Sequence, residues 1–235
     1  IRDRELAAEN WLKEGLRLQQ LGLYQSAVDA YKKAIAFYPD FVDAYYNMGI
    51  AYGSLEDTGQ PKIDQAIGAL KHAVRLKPDF VHAHIALGAS YIRRGNYQEA
   101  VDLLEDSAHL APDDYNIFYY LGTAMRMMGK VRESLSILEK AVSLAPDSVH
   151  ARFSLGLAYY DSKRLELARD EFLETVRLRP DFADAHFLLG SLYNSALEDS
   201  ERSLFHLKKA EKLFSKLKDY PKVSRVQELM ATQPV

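Results

Sequence analysis

The chain has 235 residues, of which 48% are hydrophobic and 27% charged, and this is an ordinary composition for a globular protein. Its formal net charge of −3 gives no reason to expect a nucleic acid or an anionic membrane as partner. No apolar run approaches the roughly 20 residues of a membrane span, and the absence of cysteine excludes disulfides and thiolate sites.

Glycine and proline recur along the chain with one common spacing. Successive glycines are 34 residues apart, except for one gap of 39, at Gly15, Gly49, Gly88, Gly122, Gly156 and Gly190. Prolines followed by aspartate show the same gaps, at Pro39, Pro78, Pro112, Pro146 and Pro180. Because two residue types agree on one period and on one insertion, the sequence predicts an internal repeat.

Each repeat contains two helical patterns separated by a short turn. In the second repeat one face of each helix is marked at helical spacing, by Tyr45, Met48, Gly49 and Tyr52 and then by Ala66, Leu70 and Ala73. A glycine inside a helix costs about 1 kcal/mol relative to alanine. We therefore expect the backbones of the paired helices to approach closely at the repeated glycines.

Proline, aspartate and glycine mark the ends of these helices. Proline cannot continue a helix, and the aspartate after each repeated proline is suited to cap the next helix. Gly22, Gly95 and Gly129 lie in the turn inside their repeats, where a positive φ costs glycine little.

The combination of period, glycine, small residues and terminal proline resembles the tetratricopeptide repeat, from about Ala8 to Leu217. The resemblance implies an all-α fold, a right-handed α-solenoid of stacked helix-turn-helix repeats. We expect residues 1–217 to form this solenoid, with repeats at 8–41, 42–80, 81–114, 115–148, 149–182 and 183–217. The stretch EDTGQPK enlarges the turn of the second repeat. Residues 218–235 are expected to form a capping helix after Asp219, followed by a tail.

Sequence signatures of catalysis are absent. The chain has no glycine-rich phosphate loop, no HExxH and no CxxC. Of its seven histidines, His84 and His186 fall at core-facing positions, and His206 has no carboxylate at ligand spacing. We therefore predict no enzymatic activity, no cofactor and no metal.

The resemblance implies that the first helices of the repeats line a concave groove in which partners bind. In this sequence their faces opposite the small-residue seam form a largely apolar strip. A contiguous exposed apolar strip usually marks an interaction site, although neighbouring repeats could instead bury it. The predicted partner-binding residues are Leu12, Lys13, Leu16, Tyr46, Asn47, Ile50, Ile85, Arg93, Tyr119, Tyr120, Thr123, Arg126, Phe153, Tyr160, Phe187 and Asn194.

Two sub-types of the family do not fit this strip. Co-chaperone repeats grip a C-terminal carboxylate with lysine and asparagine, but the first two places hold Leu12 and Leu16. The repeat arms of O-linked N-acetylglucosamine transferases carry an asparagine ladder. Here its places hold one asparagine only, in the series Lys13, Asn47, Ala86, Tyr120, Ser154 and Leu188.

We expect a cytoplasmic protein–protein interaction scaffold that captures an extended peptide or a short helix, with Asn47 hydrogen-bonding the ligand backbone. Nucleic acid binding and membrane insertion are not expected. Two alternatives remain open: a repeat arm cut from a larger enzyme such as a glycosyltransferase, or a scaffold that self-associates. The stretch Arg202–Arg225 carries eight basic and two acidic residues, a net +6. We interpret it as a solvated outer face, with contact to an acidic or phosphate-bearing partner as the alternative.

Overall fold

The computed structural model describes residues 2–55, 60–196 and 198–232, and all regular secondary structure in these ranges is α-helical. In chain order the helices are α1 (Arg2–Gln20), α2 (Tyr24–Phe37), α3 (Val42–Gly53), α4 (Gln60–Leu76), α5 (Val81–Arg94), α6 (Tyr97–Leu110), α7 (Tyr115–Met127), α8 (Val131–Leu144), α9 (Val149–Asp161), α10 (Leu165–Leu178), α11 (Ala183–Ser195), α12 (Ser200–Lys216) and α13 (Tyr220–Ala231). The prediction of an all-α repeat solenoid is confirmed. No helix in these ranges combines the length and the apolar character needed to cross a bilayer.

The helices belong to two compact units, Ile1–Met128 with α1–α7 and Gly129–Val235 with α8–α13. Within each unit every helix packs on the helix that follows it in the chain. These contacts alternate between the two helices of one repeat and the helices of successive repeats. In the second unit α13 packs on α12 and buries Val226 among Leu207, Ala210 and Phe214. The Asp219 carboxylate accepts a hydrogen bond from the Lys222 backbone and caps α13. The division at residues 217 and 218 stays a prediction.

Five of the repeated glycines, Gly15, Gly49, Gly88, Gly156 and Gly190, accept large side chains from the second helices. A Cβ added to Gly156 would lie 2.6 Å from a ring carbon of Phe172. The same collision would occur at Gly15 with Tyr31 and at Gly88 with Leu104. The expected close approach of backbones is seen at Gly49 and Gly190, where an added Cβ would lie 3.3 Å from the Ala66 carbonyl oxygen and 3.2 Å from the Leu207 nitrogen. The nearest atoms, however, belong to one bulky side chain in each pair. Glycine is required here to make room for that side chain.

The Pro-Asp pairs form turns between repeats and do not cap helices. The Phe41 backbone N–H donates to the Tyr38 carbonyl at 3.2 Å, which places Pro39 and Asp40 at the centre of a β-turn. The N-cap position consequently falls one residue after each of these aspartates, at Phe41, Phe80, Asp114, Ser148 and Phe182. Of these five residues, Asp114 and Ser148 accept a capping hydrogen bond with their side chains. The prediction that the aspartates after proline cap was wrong for this reason.

The turns inside the repeats need a left-handed residue. Gly22, Gly95 and Gly129 have φ values of 74°, 89° and 78°, which confirms the prediction for them. Lys163, which lies 34 residues after Gly129, adopts the same conformation with φ of 63°. The backbone of the turn is thus conserved between repeats even where the glycine is lost.

Two glycine substitutions in the second repeat should change stability in opposite directions. Gly49→Ala should lower the free energy of unfolding by about 1–3 kcal/mol, because the new Cβ would lie 2.6 Å from Cγ of Leu70. Gly68→Ala should raise it by about 1 kcal/mol, because a Cβ at this exposed position of α4 would meet no atom within 4 Å. Urea unfolding followed by circular dichroism measures both changes. Equal effects of the two substitutions would contradict this account of the repeated glycine.

Candidate functional site

A cavity of about 410 Å³ lies in the first unit, where α3 and α5 meet the beginning of α7. We call it the α3–α5–α7 cavity. Its lining combines apolar, aromatic and polar side chains from three successive repeats. The lining residues are Tyr46, Gly49, Ile50, Gly53, Ser54, Leu70, His82, Ile85, Ala86, Ala89, Ser90, Arg93, Asp114, Asn116 and Tyr120.

The apolar wall of the cavity is half-buried and held by the core beneath it. The rings of Tyr46 and Phe80 lie with their centroids 5.0 Å apart, and Tyr46 also packs against the cluster that contains Leu70. Burial raises the pKa of Tyr46. Burial, and to a smaller extent the neighbouring Tyr115, raise the pKa of Tyr120. Both phenols are therefore neutral at physiological pH, and their hydroxyls can donate hydrogen bonds.

The polar residues of the cavity lie at helix ends. Nη1 of Arg93 donates to the Gly53 carbonyl at 2.7 Å and so links the last turn of α5 to the end of α3. Arg93 is exposed and makes no ion pair with any residue that the structure describes. Oδ1 of Asp114 accepts hydrogen bonds of 2.9 Å from the backbone and the side chain of Asn116. The cavity thus offers an arginine whose position is fixed by the backbone, while its charge has no partner within the described chain.

The cavity brings together five predicted partner-binding residues: Tyr46, Ile50, Ile85, Arg93 and Tyr120. Asn47 does not line it. The Asn47 side-chain amide donates to the Asp43 carbonyl of its own helix at 2.8 Å. The predicted backbone contact to a ligand therefore has no support from the cavity itself.

The other predicted residues of the first unit lie around the cavity or on α1. Leu12 packs partly buried against the core of the first repeats, whereas Lys13 and Leu16 are exposed. The rings of Tyr119 and Tyr120 lie with their centroids 4.6 Å apart. The Thr123 hydroxyl donates to the Tyr119 carbonyl, and Arg126 is half-buried.

The predicted residues of the second unit are mainly engaged in packing. Phe153 and Tyr160 lie against the cluster formed by α8, α9, α10 and α11. Asn194 is half-buried on α11. Phe187 and Ser191 line a second cavity, of about 510 Å³, together with α13 residues that include Arg225, Glu228 and Leu229. We call this the α11–α13 cavity; the sequence assigned α13 a capping role only.

Several lining residues were missed by the sequence analysis, namely Gly53, Ser54, Asp114 and Asn116. The apolar periodicity that defines a helix face says nothing about residues at the ends of helices. A usable signal was present, however, because aspartate is a preferred N-cap residue and Asp114 directly precedes the apolar pattern of α7. Asp114 is the cap of α7.

Comparison with protein families assigns the chain. A model described as TPR repeat matches residues 15–55, and two models described as tetratricopeptide repeat match residues 58–122 and 121–181. The chain is a tetratricopeptide-repeat protein. This family and fold support a general role as a protein-interaction scaffold. A comparison with curated proteins gives no significant match.

Solved tetratricopeptide-repeat structures resemble the chain at low identity. YrrB, described as a TPR protein with an unusual peptide-binding site, is 25% identical over 79% of this chain and 93% of its own, with a TM-score of 0.57. MamA is 24% identical over 68% of this chain and 94% of its own, with a TM-score of 0.59. pilF of Pseudomonas aeruginosa is 18% identical over 98% of this chain and 100% of its own, with a TM-score of 0.78. The MamA and pilF matches show the fold alone.

Two buried histidines meet in the last repeat of this tetratricopeptide-repeat protein. Nε2 of His186 donates to the Pro180 carbonyl at 3.1 Å, which leaves Nδ1 of His186 to accept from Nδ1 of His206 at 2.9 Å. The Tyr193 ring stacks on His206 with centroids 5.8 Å apart. Burial, and then the neighbouring His186, lower the pKa of His206 to about 4. Burial likewise lowers the pKa of His186. Both imidazoles are thus held neutral between α11 and α12.

The histidine pair should make the second unit sensitive to acid. Because the folded-state pKa of His206 lies below its ordinary value of 6.5, the native state binds fewer protons, and stability falls as the pH drops from about 6.5 towards 4. His206 alone should cost about 2 kcal/mol between pH 7 and pH 5. Hydrogen exchange of peptides from α11 and α12, measured at both pH values, reports this loss.

His206→Asn should remove much of that acid sensitivity, because the asparagine amide can still donate to His186 but does not titrate. His109→Asn, at an exposed position of α6, is the matched control and should leave the pH dependence unchanged. An acid sensitivity of α11 and α12 that survives His206→Asn at full size would contradict the role of the pair.

Proposed function

We propose that this tetratricopeptide-repeat protein captures a peptide segment of a partner protein in the α3–α5–α7 cavity. The proposal rests on one observation. The same cavity is lined by apolar and aromatic side chains and by an arginine that makes no ion pair within the described chain. YrrB, 25% identical, is described as having an unusual peptide-binding site, which supports the same class of ligand here.

The apolar wall would hold an anchoring side chain of the peptide. A volume of about 410 Å³ lies within the usual range of ligand cavities. Tyr46 and Tyr120 line the cavity together with two small residues, Ala86 and Ala89, which fill little of its volume. Aromatic residues that desolvate an apolar group contribute most to binding energy in such interfaces. We therefore assign the largest share of affinity to the two tyrosines.

The polar residues would orient the peptide. The neutral hydroxyls of Tyr46 and Tyr120 can donate to peptide carbonyl groups. Arg93 retains guanidinium N–H groups beyond the one on Gly53 and would bind a carboxylate of the peptide, since arginine pairs with carboxylates through two parallel hydrogen bonds. Asn47 and the other predicted groove residues remain proposed contacts at the margin, for the part of a longer peptide that extends beyond the cavity.

Tyr120→Ala should weaken peptide binding about tenfold or more, because it removes one of the two aromatic walls. Peptides selected from a random twelve-residue library on the unmodified protein serve as probes, and fluorescence anisotropy gives their Kd. Tyr220→Ala removes a tyrosine that is 66% exposed on α13 and should leave the Kd unchanged.

Two conservative variants separate the parts of the site. Tyr120→Phe should retain most of the affinity if the ring provides the anchor. Arg93→Met should weaken only peptides that carry a carboxylate near the anchor, and it should reduce the salt dependence of their Kd. The proposal would be wrong if peptides bound Tyr120→Ala and Tyr220→Ala equally well.

A further inference from the structure

We propose that the outer face of α12 docks the protein on an anionic lipid bilayer. This face, the α12 cationic face, consists of Phe205, Lys208, Lys209, Lys212 and Lys216. Neither cavity described above is lined by these residues. The inference is therefore independent of peptide capture.

Helical geometry collects these five side chains on one side of α12. The opposite side is buried against the second unit through Ser203, His206, Leu207, Ala210 and Phe214. At 3.6 residues per turn, the cationic face occupies an arc of about 100° and extends for about 17 Å along the axis. Four lysines and one phenylalanine thus share a single ridge that points into solvent.

The charges of this ridge are not neutralised by the protein. Lys208, Lys209, Lys212 and Lys216 are exposed and form no ion pair with any residue in the described ranges. On α13, by contrast, Lys222 pairs with Asp184 at 2.9 Å and with Asp219 at 3.6 Å. The four ammonium groups of α12 are therefore available to an anionic partner from outside the chain.

Exposed hydrophobic side chains accompany the lysines. Among the described residues, the three most exposed large hydrophobic side chains are Leu217 at 69%, Tyr220 at 66% and Phe205 at 65%. Phe205 lies on α12 one turn before Lys208 and Lys209, Leu217 directly follows α12, and Tyr220 is the first residue of α13. Lysines with aromatic and aliphatic neighbours are the combination that binds the headgroup region, where ammonium groups contact lipid phosphates and apolar groups enter the acyl boundary.

The shape of the surface favours a bilayer over an acidic protein. Peptides are usually held in grooves or added to sheet edges, whereas the α12 cationic face is the convex side of a helix. A fluid bilayer can accept a convex ridge and take up Phe205 without a complementary pocket. The near-neutral charge of the whole chain hides this surface, because the remaining residues carry about −9 against the +6 of Arg202–Arg225.

Vesicle co-sedimentation tests the proposal directly. The full chain should sediment with vesicles of phosphatidylcholine and phosphatidylglycerol in a 7:3 ratio, but not with pure phosphatidylcholine, and high salt should release it. Replacing Lys208, Lys212 and Lys216 together by alanine should reduce partitioning roughly 100-fold, or about fivefold per lysine. The matched control replaces the exposed Lys13, Lys71 and Lys130 by alanine. Its loss of partitioning should be at least about tenfold smaller than the loss in the first triple variant.

A tryptophan reporter tests the apolar part. Phe205→Trp in a Trp11→Phe background should be quenched by brominated lipid in the same vesicles, whereas Phe37→Trp in that background should not be quenched. Three outcomes would overturn the proposal: no sedimentation with anionic vesicles, equal losses for the two lysine triples, or an unquenched Phe205→Trp. Binding of polyglutamate without binding of vesicles would likewise overturn it and assign the face to an acidic protein.

Discussion

A large side chain inserted against a glycine fixes the helix pairs α1–α2, α3–α4, α5–α6, α9–α10 and α11–α12, and the other features of both units depend on this contact. Tyr31 lies against Gly15, Leu70 against Gly49 and Phe172 against Gly156. The glycine costs about 1 kcal/mol of helix propensity, whereas full burial of a leucine or phenylalanine contributes about 1.5–3 kcal/mol. Burial therefore prevails, and the side chain and its glycine set the distance and rotation of the two helices.

This constraint determines which residues can carry function. With its glycine turned towards the second helix, a first helix must present its remaining face to neighbouring repeats or to a ligand. On α5 that face holds Ala86 and Ala89, two small side chains that line the cavity together with Tyr46 and Tyr120. These small side chains leave room for the α3–α5–α7 cavity, and Arg93 lines it while bonded to the Gly53 carbonyl.

The sequence was sufficient for the repeat and its helices, because period, apolar spacing and glycine all reflect contacts within one or two repeats. It was insufficient where groups converge from distant positions. Gly53 and Asn116 line one cavity although they lie 63 residues apart, at the ends of different helices. His186 and His206 bond across a helix pair, and no spacing rule indicates such a partner. The prediction that the aspartate after proline caps the next helix failed for a different reason. The Pro-Asp residues do mark a boundary between repeats, but the aspartate belongs to the turn, so the N-cap lies one residue later.

The last repeat departs from the repeat pattern, and its second helix, α12, carries a different kind of surface. Second helices α2, α6, α8 and α10 have 14 residues and end before a Pro-Asp turn. Helices α4 and α12 both have 17 residues, but a Pro-Asp turn follows α4 and not α12. The additional turn of α12 carries Lys216 and leads into Leu217, which is highly exposed. Among the described residues, the face of α12 that carries Phe205 and the lysines is exposed, whereas its opposite face is buried against the second unit. Lysines and a phenylalanine can accumulate there without cost to packing, because none of these side chains is needed to fill the core of the second unit.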